Sequence, residues 1–173
     1  MNASRALGVA VIGLGVGEQH AGAYLGSGAC TLRWLYDLDA ARTRDVREAL
    51  GQGSAAQSVD AILADPSVEV VSIASYDGDH FAQALAALQA GKHVFVEKPL
   101  CRSVTELRAL KQAWQAHGHR HLASNLVLRA APVYQWLKRT IEAGDLGEVY
   151  AFDGEYLYGR LHKITEGWRK DVQ

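Results

Sequence analysis

Two short stretches carry residue types that can do chemistry. The first is Val9-Ala10-Val11-Ile12-Gly13-Leu14-Gly15-Val16-Gly17-Glu18-Gln19-His20. Four apolar, mostly β-branched residues read as a strand covered on both faces, because such a strand needs no polar alternation. Three glycines follow, and then a helical spacing through Ala21, Ala23 and Leu25. Strand, glycine turn and helix in that order form a cradle for a nucleotide's phosphates. Gly13 permits the tight turn, and Gly15 lets the backbone approach a pyrophosphate. The helix start supplies free N–H groups and the positive end of a dipole. A glycine-rich turn without a ligand would read the same from the glycines alone. The pattern is also irregular, with Glu18 where G-x-G-x-x-G wants glycine. The second stretch is Glu97-Lys98-Pro99. A lysine beside a carboxylate, fixed by a proline, can act at a bound substrate as proton relay or hydrogen-bond donor. The alternative is an ordinary surface ion pair.

The elements around these stretches give them a setting. Thr31 to Tyr36 is a second apolar run, ending in Asp37. An acid about twenty residues beyond the glycines, at a strand tip, is where adenosine ribose hydroxyls are held. Its charge would repel a 2′-phosphate, so the sequence favours NAD over NADP, a preference tempered by nearby Arg42 and Arg44. Asp39 caps a helix over 40–50 that Gly51 stops, and Gly53 to Gln57 reads as an edge strand. Ser58 caps a brief helix over 59–64, broken by Asp65-Pro66. Val68 to Ala74 is a buried strand, followed by a turn and a helix with Phe81, Leu85 and Leu88 on one face. His93 to Val96 is the fifth strand, and its carboxyl end carries Glu97-Lys98-Pro99. Ser103 to Glu106 is a capping box, and 120–124 a sixth strand. Strand and helix in alternation mean right-handed crossovers and an α/β, doubly wound parallel sheet.

Composition changes after Asn125. Pro132 starts a helix with Val133, Trp136 and Leu137 facing inward. Val149 to Tyr158 reads as a long strand with Tyr150, Phe152, Tyr156 and Tyr158 on one face. This predicts a dinucleotide-binding domain over 1–124 and, over 125–173, the incomplete start of an α+β domain with an antiparallel sheet. One strand cannot make a sheet, so 125–173 is expected to be disordered or paired with another chain.

The remaining features exclude more than they assign. In 173 residues, 49% are apolar and 21% charged, with a net charge of −1. No basic cluster interleaved with aromatics suggests nucleic acid, and no apolar run is long enough to span a bilayer. The start, Met1-Asn2-Ala3-Ser4-Arg5, lacks a signal peptide's core. The two cysteines, Cys30 and Cys101, lie far apart and read as free thiols, so a cytoplasmic protein is expected. His117, His119 and His121 invite a metal, but no carboxylate or cysteine joins them, and no metal site is assigned.

Together these stretches resemble the glucose–fructose oxidoreductase and inositol dehydrogenase family (Gfo/Idh/MocA). The most specific part runs from Val70 to Leu100 and ends in Glu-Lys-Pro. Asn125, Arg129 and Pro132, then Gly144 to Val149, are similar to the family's entry into its second domain. Gly159-Arg160 and Trp168-Arg169 are similar to one branch's pattern. The resemblance implies a Rossmann domain followed by an open-faced antiparallel sheet, in a homo-oligomer. It implies NAD(P)-dependent hydride transfer at a carbinol carbon of a sugar or polyol, with Lys98 as the catalytic lysine. Gly13, Gly15, Val16, Gly17 and Asp37 would hold the cofactor. Ser75, Tyr76 and His80 would lie on its nicotinamide side, with Glu97 and Lys98 close by. Asn125, Trp168 and Arg169 complete the implied set. Tyr76 and Asp77 depart from the family's usual Pro and Asn. The family's Asp-x-Gly-x-His segment, which supplies its acid–base pair, is expected beyond Gln173, so the chain reads as an inactive fragment. Two other functions fit parts of the pattern: a non-catalytic NAD(H)-binding or sensing module, and an S-adenosylmethionine-binding methyltransferase.

Overall fold

The computed structural model describes residues 5–118, 120–157, 159 and 162–166. The chain forms two compact units, one through Val127 and one from Leu128.

The first unit is an alternating run of strands and helices. In order they are β1 (Leu7–Ile12), α1 (Gly17–Gly26), β2 (Cys30–Tyr36), α2 (Ala40–Leu50), β3 (Ser54–Ala55), α3 (Val59–Ala64), β4 (Val70–Ile73), α4 (His80–Gln89), β5 (His93–Val96), α5 (Val104–Ala116) and β6 (Leu122–Ser124). The six strands form one parallel sheet in the order β3-β2-β1-β4-β5-β6. Strand order therefore reverses between β1 and β4, which opens a crevice beyond their carboxyl ends.

Local chemistry accounts for the element ends. Asp39 accepts from Ala41 N at 2.9 Å to start α2, and Gly51, at φ 65°, ends it in the left-handed region. Ser103 and Glu106 exchange the reciprocal hydrogen bonds of a capping box at α5. Strands β4 and β6 are shorter than the expected 68–74 and 120–124.

The core lies on both faces of the sheet. One layer gathers Ala10, Ile12, Val71, Ile73, Leu88, Val96 and Leu110; the other gathers Val9, Val11, Leu14, Leu32, Leu35 and Val46. Each fully buried aliphatic side chain contributes roughly 1.5–3 kcal/mol. The β1–β2 register slips between Val9, opposite Leu32, and Ala10, opposite Trp34. Arg33 is left exposed as a bulge, so Leu32 and Leu35, three residues apart, share a face.

The second unit holds α6 (Pro132–Glu142), with proline in its first turn, and a short α7 (His162–Thr165). Two expectations are corrected here. Residues 149–157 form no strand, and Tyr150, Phe152, Tyr156 and Leu157 stand exposed; Tyr158 lies outside the described residues. A strand needs a partner for its N–H and C=O groups, and no described segment pairs with this one. Val133 and Trp136 do not face inward either: they are exposed, and α6 has no buried residue.

Candidate functional site

The glycine loop crosses from β1 to α1 at the crevice, and its three glycines do three different things. Gly13 has φ 81°, and a Cβ there would lie 2.4 Å from Ser75 N. It is glycine because the backbones leaving β1 and β4 nearly touch. At Gly17 a Cβ would lie 2.9 Å from Val11 Cγ1, so this glycine lets α1 settle close on the sheet. A Cβ on Gly15 would meet nothing within 4 Å, so that position faces open space where a ligand can approach. Val16, 55% exposed, stands at the N-cap of α1. The first N–H groups of a helix have no partner within it.

Asp37 follows β2 and grips this loop. Its Oδ2 accepts from Leu14 N at 2.6 Å and its Oδ1 from Asp39 N at 2.9 Å. A carboxylate offers about four lone-pair sites, so capacity remains for two ribose hydroxyls. Arg42 lies over the same turn, donating from Nε to the Leu14 carbonyl at 3.0 Å and pairing with Glu18 at 2.6 Å. The arginine near the acid is thus already engaged, and Glu18, the residue that breaks the glycine pattern, engages it.

Beyond β4, Ser75 Oγ donates to Gln83 Oε1 at 2.7 Å, and Tyr76 is half exposed. His80, expected on the nicotinamide side, has both ring nitrogens engaged within the chain. It is fully buried, with Nδ1 2.7 Å from the Pro99 carbonyl and Nε2 3.1 Å from the Ser75 carbonyl. It ties the turn after β4 to the segment after β5.

Beyond β5, Glu97 accepts from Asn125 Nδ2 at 2.6 Å and from Lys98 N at 3.2 Å. Its Oε1 also lies 3.2 Å from His20 Nε2. Lys98 is exposed, and among the described residues no ion pair holds its ammonium. The surface-pair alternative for Glu97 and Lys98 therefore does not describe this geometry.

Sequence reasoning passed over His20, Ser72 and Tyr24. His20 Nδ1 lies 3.0 Å from Ser72 Oγ. Burial pushes the Tyr24 phenol up, an effect that the Ser72 hydrogen bond opposes. The available signal was the helical stripe 17-20-21-24 that α1 turns to the sheet; Ala23, part of the expected face, is exposed.

Gly13, Gly15, Val16, Gly17, Asp37, Ser75, Glu97, Lys98 and Asn125 thus gather at the carboxyl ends of the strands. Trp168 and Arg169 lie outside the described residues, as does His119. His121 stacks on His93 with ring centroids 5.0 Å apart. Among the described residues no cluster of three or more His, Cys, Asp or Glu is placed to hold a metal. No helix among them is long and apolar enough to cross a membrane.

Comparison with known proteins extends the picture. The chain is 31% identical over 150 residues to an inositol 2-dehydrogenase of Acidothermus cellulolyticus, covering 85% of this chain and 44% of that one. The structure of GenD2 from gentamicin A biosynthesis in complex with NAD superimposes with a TM-score of 0.77 at 29% identity, over 84% of this chain and 41% of that one. A biliverdin reductase from Synechocystis, solved with biliverdin and NADP+, gives 0.74 at 29% identity, over 83% and 45%. The chain spans less than half the length of each of these relatives. Residues 7–125 match the sequence profile of the oxidoreductase family with an NAD-binding Rossmann fold. The chain therefore belongs to the Gfo/Idh/MocA oxidoreductase family.

Proposed function

We propose that this chain is the dinucleotide-binding part of an NAD-dependent oxidoreductase acting on a carbinol carbon of a sugar or polyol. On this reading residues 1–124 form the cofactor domain, and 125–173 begin a substrate and oligomerisation domain. The observation that carries the proposal is the open face at Gly15, with Asp37 after β2 on one side of the crevice and, after β5 on the other, Lys98, whose ammonium no ion pair holds among the described residues.

The residues present fit such a cofactor. Backbone N–H groups of Gly15, Val16 and Gly17 donate to a pyrophosphate, and the α1 dipole favours its charge. Asp37 accepts from ribose hydroxyls and repels a 2′-phosphate. When bound, the nicotinamide supplies the hydride acceptor or donor. Lys98 donates a hydrogen bond to the substrate oxygen and holds the proton that moves there. Glu97 and Asn125 fix the backbone from which Lys98 projects.

Titrating the protein with NADH, NADPH and S-adenosylmethionine tests the reading. NADH binds tightest, and Asp37→Ala narrows its lead over NADPH. Equal affinity for NADH and NADPH in the unmutated protein overturns the role of Asp37. Preferential binding of S-adenosylmethionine overturns the function.

A further inference from the structure

Glu97 and Lys98 are adjacent in sequence and opposite in charge, yet they do not pair through their side chains. The reason lies beneath them. Glu97, whose side chain is 14% exposed, has Oε1 near both His20 Nε2 and Asn125 Nδ2, while Oε2 accepts from Lys98 N. The carboxylate is thus spent on a ring, an amide and the lysine's own backbone. His20, 9% exposed, is the buried member of this set.

Counting protons sets the direction of the network. A neutral imidazole has one donor and one acceptor nitrogen. With Ser72 Oγ–H donating to His20 Nδ1, His20 Nε2–H donates to Glu97 Oε1. His20 then receives at Nδ1 and gives at Nε2, so both ring nitrogens are satisfied. Phe95, with its ring centroid 5.3 Å from that of His20, packs against the imidazole at an interplanar angle of 60°. The close seating of α1 at Gly17 brings a residue on that helix within reach of Ser72 in β4 and Glu97 beyond β5.

We propose that His20 is a positioning residue that holds the Glu97 carboxylate away from the Lys98 ammonium, leaving the ammonium free to meet a substrate oxygen. The inference rests on the reading of Lys98 given above and adds a residue outside the expected site. Without the His20 donor, only Asn125 Nδ2 and Lys98 N hold the carboxylate, and it turns toward the ammonium of the adjacent Lys98.

The test follows acetylation of Lys98 by an amine-reactive ester at fixed pH, read by peptide mass spectrometry against exposed Lys111. His20→Leu slows Lys98 relative to Lys111 by roughly threefold or more, the scale of a partly exposed ion pair. His20→Gln restores the rate, since its amide can donate to Glu97 and accept from Ser72. The double variant His20→Leu/Glu97→Gln is also fast, because no carboxylate remains to pair. An unchanged Lys98 rate in folded His20→Leu, or an equally slow double variant, overturns the proposal. Nitrogen NMR of the unmutated protein needs no variant: a proton on His20 Nε2 is expected, and one on Nδ1 alone overturns the assignment. NADH titration of the same proteins separates the two readings. Loss of NADH binding in the unmutated chain defeats the cofactor reading, whereas the Lys98 rates decide the role of His20.

Discussion

The two units of this chain contain similar amounts of local signal and reach opposite outcomes. Both have helices with apolar residues at helical spacing, and α6 opens on Pro132. The first buries Ile12, Leu35, Ile73, Leu88 and Leu110 completely or almost so. In the second, no described residue from Leu128 onward is buried, and Trp136 is 57% exposed. The difference is the sheet. A helix with one apolar face gains little until another surface removes that face from water. In the first unit five parallel pairings supply that surface; the described part of the second supplies none.

Breaking the sheet should have the largest effect. Gly13→Ala places a methyl group against the Ser75 backbone at a positive φ, so both sterics and conformation oppose it. Urea denaturation should show a loss of about 3 kcal/mol or more. A loss below ~1 kcal/mol would mean that β1 and β4 can separate at this point without cost.

A matched pair of truncations asks the next question. Leu88→Ala should cost about 2–5 kcal/mol, as for a buried leucine. Trp136→Ala should change stability by no more than ~0.5 kcal/mol, despite removing a larger side chain. Equal losses would erase the contrast between the units.

The smallest effect is a pH dependence belonging to the first unit. His93 Nδ1 accepts from His121 N at 2.9 Å, which requires an unprotonated nitrogen. Burial pushes the His93 pKa down, aided by His121 and Arg120 and opposed by Glu69. The unfolded chain takes up this proton near pH ~6.5, and the folded ring resists until a lower pH. Below about 6.5 the unfolded state binds more protons, so stability falls with pH until the folded ring is charged too. His93→Asn keeps an acceptor without titrating, and urea midpoints between about pH 7.5 and 5.5 should slope less steeply. Identical slopes would remove His93 from the account.

What could be read from the sequence was what short stretches decide alone. Asp39, Gly51, Ser103 and Glu106 fix helix ends through groups a few residues away, and the structure has them doing so. The buried parallel strands were legible because apolar residues run through them without alternation. The long strand at 149–158 was not predictable in the same way, because strand formation belongs to a pair and the sequence shows only one member. His20 escaped notice because its partners lie 52 and 77 residues away, in Ser72 and Glu97. Lys92 is another such case: its ammonium donates to the Asp65 and Val68 carbonyls at 2.8 Å each, and nothing near it in sequence announces a buried lysine.

The bulge at Arg33 bears on how Asp37 reaches the glycine loop. Leu32 and Leu35 keep one face, and Trp34 and Tyr36 the other, only because one residue steps out of the ladder between them. A chain lacking Arg33 could pair in the same register and deliver Asp37 to the same place beside Leu14. The interval between the glycines and the acid therefore depends on the bulge as well as on the strand. The ladder, not the count along the chain, sets where the acid lies: Asp37 follows the Ile12–Tyr36 pair and accepts from Leu14 N.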